Sequence, residues 1–307
     1  MDRNHPGDAP PQSPRGESSR PPCRVGLALS GGAARSVAHI GVLKAFREAG
    51  VPIDALAGTS GGAVIAVLYA SGISIADLER VAVGLRRRDL GKITLSRMGI
   101  ISIRPLESLL RTLIDDVRLE DLYPPTAIVA TNLVRRARHE FRSGSAIEAV
   151  LASSAMPHIY RPVEVGGELY TDGSVVEYLP LSALRPCRPL VRVGSHLLPE
   201  EYQSRPRHLG HVVASIVNII QRANAIVSQA EADVLVRPAV APFSPFELVN
   251  GRELIEAGYV AAQQQIPRIL QLLDERTRWL GELVPGPGEA GSPDSAPTAT
   301  RSPDRRE

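Results

Sequence analysis

Ser60 stands in Gly58-Thr59-Ser60-Gly61-Gly62, a G-x-S-x-G pentapeptide between two apolar runs, DALA and AVIAV. Placed between a strand and a helix, this pattern makes a nucleophile elbow. Small neighbours let strand and helix close together, and the hydroxyl projects at the strand's carboxyl end over the free N–H groups of the next helix. The same residues also fit a tight turn in which Gly and Ser only supply room, so the pentapeptide alone leaves both readings open. A second run of small residues, Leu29-Ser30-Gly31-Gly32-Ala33-Ala34-Arg35, also lies between a strand and a helix pattern. Its bare backbone N–H groups can cradle an anion, either a phosphate or an oxyanion. The run is neither G-x-G-x-x-G nor G-x-x-x-x-G-K-[ST], which weakens a nucleotide reading. Arg35 is suited to neutralise charge on a substrate or to steady the loop by bonding carbonyls.

A serine nucleophile needs a base. The chain has seven histidines. His5 lies in a polar N-terminal arm, and His39 falls in the helix after the glycine loop, where a packed histidine is the simpler reading. His158, in AMPHIYRP, is the best triad candidate; His139, His196, His208 and His211 carry no local signal. Asp172 is more suggestive, because it ends a strand in ELYTDGSVVEYLP. A carboxylate there can meet a serine from another strand, although Asp-Gly is also a common turn. Partial desolvation would raise its pKa from the reference value of about 3.9 and make it a better base.

The elements that must position these residues follow from hydrophobic periodicity. Strands are expected at 24–29, 53–58, 126–132, 138–141 and 190–196, and a hairpin about Gly166-Gly167 at 161–173. Helices are expected to Gly50, over about 61–69, 104–115 (Leu106, Leu109, Leu110, Leu113), 145–155, 208–230 and 250–278, with ADVLVRP between the last two. The alternation implies a mainly parallel sheet with helices on both faces, an α/β architecture.

At 307 residues and 43% hydrophobic content the chain can bury a core. Residues 1–23 and 285–307 are rich in Pro, Ser and charge and read as disordered extensions around one domain at 24–284. A net charge of +2 gives no argument for a nucleic-acid partner. Cys23 and Cys187 form neither a disulfide framework nor a metal-ligand spacing. The N-terminus lacks a signal-peptide core, and no run is long enough to span a bilayer. The expectation is a soluble, cytoplasmic protein.

Taken together, LSGGAAR…HIGVL, GTSGG and YTDGSVVEYLP resemble the patatin-like phospholipases, in particular the bacterial branch similar to the catalytic domain of neuropathy target esterase. The resemblance covers nearly all of 24–275. It implies a three-layer α/β/α fold related to the α/β hydrolases and a Ser-Asp dyad that needs no histidine. Ser60 is then the nucleophile and Asp172 the base. The backbone N–H groups of Gly31, Gly32, Ala33 and Ala34 form the oxyanion hole, and Arg35 contributes to substrate binding. The implied activity is hydrolysis of fatty-acyl esters of phospholipids or lysophospholipids through an acyl-enzyme, without metal or organic cofactor.

Four positions depart from the family pattern. Ala33 and Ser36 replace glycines of the loop, and Ser174 and Glu177 replace a glycine and an asparagine after the aspartate. An acyltransferase or thioesterase of the same fold therefore stays as an alternative, as does a degenerate lipid-binding regulatory protein with little turnover. Residues 86–103, with Arg86, Arg87, Arg88, Lys92 and Arg97 among aliphatics, read either as a peripheral contact with an anionic lipid surface or as a solvated arginine cluster before a buried strand.

Overall fold

Every second residue of β1 (Val25–Leu29) is large: Val25, Leu27 and Leu29 face one side, Gly26 and Ala28 the other. The same division runs through β2 (Ala55–Thr59), where Leu56 opposes Ala55 and Ala57. It recurs in β5 (Thr126–Asn132), where Ile128 and Ala130 oppose Ala127 and Val129. A strand's two-residue period thus builds a sheet with one bulky and one small-residue face. The protein is described here by a computed structural model covering residues 23–85, 92–93, 101–157, 159–198, 205–247 and 249–283.

Among these residues the central sheet has eight strands in the order β10-β9-β1-β2-β5-β8-β7, with β6 on β5. The remaining members are β6 (Ala137–Phe141), β7 (Val163–Val165), β8 (Glu168–Asp172), β9 (Val191–Ser195) and β10 (Val234–Val236). The five strands from β10 to β5 are parallel, and β6, β7 and β8 add antiparallel pairings. The bulky face packs against α1 (Ala38–Glu48), α2 (Gly61–Ala70), α3 (Ile75–Gly84), α5 (Ala146–Ser154) and α7 (Gly251–Leu283). The small-residue face is covered by Leu179, Leu181 and Leu184 around a 3-10 helix at Leu181–Cys187, over which α6 (Leu209–Gln229) lies. The result is a three-layer α/β/α arrangement.

The expected strands and helices appear within a few residues of their anticipated ends, including α4 (Arg104–Ile114). The structure adds α3, whose signal is Ser74: its hydroxyl accepts the Asp77 N–H at 3.1 Å and caps the helix. It also adds a two-stranded ribbon, β3 (Lys92–Ile93) with β4 (Ile101–Ser102). Apart from this ribbon and Ile103, the basic stretch at 86–103 lies outside the described residues, as do the two extensions except for Cys23. No described helix is long and apolar enough to cross a membrane. Cys23 and Cys187 are free thiols, brought side by side by the fold; burial, then the Cys187 neighbour, raises the pKa of Cys23.

One register detail positions the site. β5 uses one edge for two strands: Thr126–Val129 pair with β2, and Ala130–Asn132 pair with β8. Its other edge is taken by β6, opposite Ile128–Asn132. β2 and β8 therefore run toward each other along the same edge. Their carboxyl ends meet where Thr59 pairs with Val129 and Asp172 with Ala130.

Candidate active site

The meeting of those strand ends brings Ser60 and Asp172 together across 112 residues of chain. Ser60 Oγ donates to Asp172 Oδ2 at 2.6 Å. Ser60 sits at φ 54°, ψ −125°, a conformation that costs a non-glycine residue on the order of 1–3 kcal/mol. Its surroundings hold it there. The Ser60 N–H donates to Ser153 Oγ at 2.8 Å, and that hydroxyl donates on to the Val129 carbonyl at 2.6 Å. The closeness of the turn requires glycine: a Cβ on Gly62 would lie 2.3 Å from the Leu29 carbonyl oxygen. Ser153, on α5, is a supporting residue that no sequence signal announces beyond a hydroxyl among the buried alanines of LASSA.

Asp172 is almost fully buried, and its backbone is tied at both ends. Its N–H donates to the Ala155 carbonyl at 3.0 Å, and its carbonyl accepts from Thr131 Oγ1 at 2.8 Å. Oδ1 accepts the Ser174 N–H at 2.9 Å. Burial raises the Asp172 pKa above the ordinary carboxylate range, while the bonds from Ser60 and Ser174 pull against that rise. A carboxylate held this way is a stronger base than one in water and is already aimed at the hydroxyl.

The glycine loop lies beside Ser60. Gly31 N–H donates to the Tyr178 carbonyl and Ala34 N–H to the Pro245 carbonyl, each at 3.0 Å. Two of the four amides expected in the anion cradle are thus committed to carbonyls. The N–H groups of Gly32 and Ala33 make no hydrogen bond among the described residues, and both residues line the same cavity as Ser60. Ala33 has φ 49°, a left-handed conformation that costs alanine roughly 1–2 kcal/mol. Arg35 is buried, and its Nε donates to the Phe243 carbonyl at 2.7 Å, so it ties the loop to the segment before α7 as well as lining the cavity.

His39 is fully buried, with Nδ1 2.9 Å from Ser195 Oγ and Nε2 2.9 Å from the Ser30 carbonyl. It is a bridge between β1 and β9, kept neutral by burial at a pKa of about 4. His158 lies outside the described residues. Among the described residues no group of three or more His, Cys, Asp or Glu is placed to hold a metal.

The four departures from the family pattern leave the Ser60–Asp172 contact in place. Ser174 lends its N–H to Asp172, while its Oγ accepts from Gln221 Nε2 of α6 at 2.7 Å. Glu177 is buried and takes bonds from Arg138 Nε and from Ser182. Ser36 Oγ is buried without a partner among the described residues, pressed so close to Gly61 that a Cβ there would clash at 2.1 Å.

Ser60 opens on a cavity of about 1110 Å³, walled by the glycine loop, Met156, Ser174, Tyr178, Leu198, Phe246 and the inner side of α6. Among the described residues no carboxylate lines it, whereas Arg35, Arg205, Arg207 and Arg222 do. The volume is ample for a long acyl chain.

A family model described as patatin-like phospholipase matches residues 27–185, which contain both Ser60 and Asp172. An uncharacterized NTE family protein of Mycobacterium tuberculosis is 35% identical over 173 residues, 55% of this chain and 47% of that protein. Lysophospholipase NTE1 of Yarrowia lipolytica is 29% identical over 171 residues, 52% of this chain and 12% of that protein. The chain thus spans about half the length of the mycobacterial relative and a small part of the yeast one. VipD from Legionella pneumophila, a crystal structure, superposes with a TM-score of 0.55 at 16% identity, covering 84% of this chain and 68% of that one. That likeness concerns the fold alone.

Proposed function

The chain belongs to the patatin-like phospholipase family, and on that premise we propose that it is a serine hydrolase of fatty-acyl esters in phospholipids or lysophospholipids. The observation that carries the reading is the 2.6 Å hydrogen bond from Ser60 Oγ to a buried Asp172. Ser60 Oγ attacks the ester carbonyl as its proton passes to Asp172. The negative charge on the carbonyl oxygen is met by the N–H groups of Gly32 and Ala33, within reach of the first turn of α2. Collapse of the tetrahedral species breaks the C–O bond, and the leaving alcohol takes the proton from Asp172. Water then gives a proton to Asp172 and attacks the acyl-enzyme, releasing the fatty acid and restoring Ser60. Gly31 and Ala34 serve this step indirectly, as the two anchors that hold the loop between them.

A fluorophosphonate probe tests the nucleophile. Wild type is expected to be labelled at Ser60, and Ser60→Ala to be unlabelled and inactive on a panel of phospholipids and lysophospholipids read by mass spectrometry. Asp172→Asn is expected to fold and to lose activity by about 10²–10⁴-fold, the range for removing a general base. A folded wild type that takes no label overturns the proposal.

A further inference from the structure

α6 turns an apolar face to solvent. Its sequence, LGHVVASIVNIIQRANAIVSQ, contains no Asp or Glu. The exposed positions are Leu209, Val212, Ile216, Ile219, Ile220, Ala223, Ile226 and Val227, a continuous apolar stripe, with His211 the one exposed polar side chain beside it. Exposure runs from 39% at Ile220 to 77% at Leu209. The inward side mixes small and aliphatic residues, such as Ala214, Val217 and Ala225, with polar ones: Gln221 bonds Ser174, and Asn224 receives the Tyr178 N–H and donates to the Ser174 carbonyl. A surface helix of a globular protein shows the opposite pattern. The inner polar residues are explained by the cavity and the turn they brace, whereas no described element covers the outer side.

We infer that this outer face of α6 is the docking surface through which the protein rests on an anionic lipid bilayer, with the cavity mouth turned toward the lipid. The inference rests on the proposed reading of the cavity as a lipid-ester site. Two observations choose lipid as the occupant. The stripe reaches the cavity: Ile219 belongs to both, and Phe246, 51% exposed, lines the same cavity from the loop before α7. The cavity rim next to the start of the helix carries Arg205 and Arg207, with no carboxylate among the described lining residues and none on the helix. Apolar side chains in the acyl boundary with cationic residues at head-group level is the pattern of an interfacial helix. A second copy seated on the stripe would stand across the cavity mouth and would bring no acidic residue on this helix to meet the arginines. This surface is separate in sequence from the basic stretch at 86–103.

The test combines vesicle binding with two kinds of substrate, using the full chain. Phosphatidylcholine vesicles with and without phosphatidylglycerol are sedimented with wild type, with Ser60→Ala, and with Ile216→Ser, Ile226→Ser and Val227→Ser combined. Wild type and Ser60→Ala are expected to bind phosphatidylglycerol vesicles equally, and the triple variant about tenfold or more weakly. The triple variant is expected to hydrolyse a soluble short-chain ester like wild type while losing activity on vesicles. A single Ile226→Trp is expected to show quenching by brominated lipid that the native Trp279 does not. Vesicle binding unchanged in the triple variant, absence of wild-type binding, or a lipid-free dimer that the triple variant dissociates would each overturn the inference. Failure of the hydrolase reading looks different: vesicle binding persists, but wild type hydrolyses neither substrate.

Discussion

At the scale of the residue, the proposed chemistry turns on the competition around Asp172. Burial disfavours its charge, and the Ser60 and Ser174 bonds favour it; burial prevails, so its pKa is raised. Two outcomes follow. As the proposed base, Asp172 can take a proton only when ionised, so kcat/KM is expected to fall on the acid side at a pH above the ordinary carboxylate value of about 3.9. A raised folded-state pKa also means that stability is greatest below the unfolded pKa and is lost as pH rises through the folded one. At neutral pH the ionised carboxylate therefore weakens the fold. Asp172→Asn keeps an oxygen for the Ser174 N–H and removes that charge. It is expected to melt higher than wild type at neutral pH by about 2–4 °C per kcal/mol recovered. The gap should close toward about pH 4. Thermal melts across that range check this, and a variant less stable than wild type at neutral pH would contradict it.

At the scale of the element, the site is a consequence of two strands ending against each other on one edge of β5. The ends themselves were legible: Ser60 and Asp172 each sit where an apolar run stops beside glycine, and a strand's last residue is where a side chain can serve a cavity. Their meeting was not legible from periodicity, because pairing between β5 and both partners is a long-range matter that no local pattern encodes; the resemblance of the three motifs supplied it. Ser153 was hidden for the same reason, since it bonds β2 and β5 from a helix distant in sequence. The left-handed Ala33 and the committed amides of Gly31 and Ala34 depend on contacts with Tyr178 and Pro245 that arrive from later in the chain. The junction makes a sharp expectation for Gly173, which follows Asp172. A Cβ there would lie 2.0 Å from the Val129 carbonyl oxygen. Gly173→Ala must push β8 away from β5 and carry Asp172 with it. We expect destabilisation of about 1–3 kcal/mol and a loss of kcat of about 10²-fold from misplacement of the proposed base. Near-normal kcat with an unshifted melting point would show that the strand ends can slide without consequence.

At the scale of the whole molecule, the seam beneath the glycine loop is closed by neutral histidines. His39 joins Ser30 at the end of β1 to Ser195 at the end of β9, and the next residue, His196, packs edge-on against Tyr178. Burial, first of all, lowers both to a pKa of about 4 from 6.5; each lies near cationic or imidazole neighbours that add to the shift. The unfolded chain therefore binds more protons than the folded one between those values, and stability is lost as pH falls below about 6.5. At about pH 5 each histidine accounts for roughly 2 kcal/mol, or about 4 kcal/mol together, a large part of a typical 5–15 kcal/mol. The carboxylates whose pKa is lowered, such as Asp77, Glu168 and Asp233, are still largely ionised in both states there and add little to the loss. Asp172 works in the opposite direction, so the measurement belongs in the Asp172→Asn background. Urea unfolding of that variant from about pH 7.5 to about pH 5 should show the loss, and adding His39→Gln should flatten the slope. An unchanged slope would mean that His39 titrates normally, that water reaches the β1–β9 seam, and that the loop holding the Gly32 and Ala33 amides is looser than its hydrogen bonds imply.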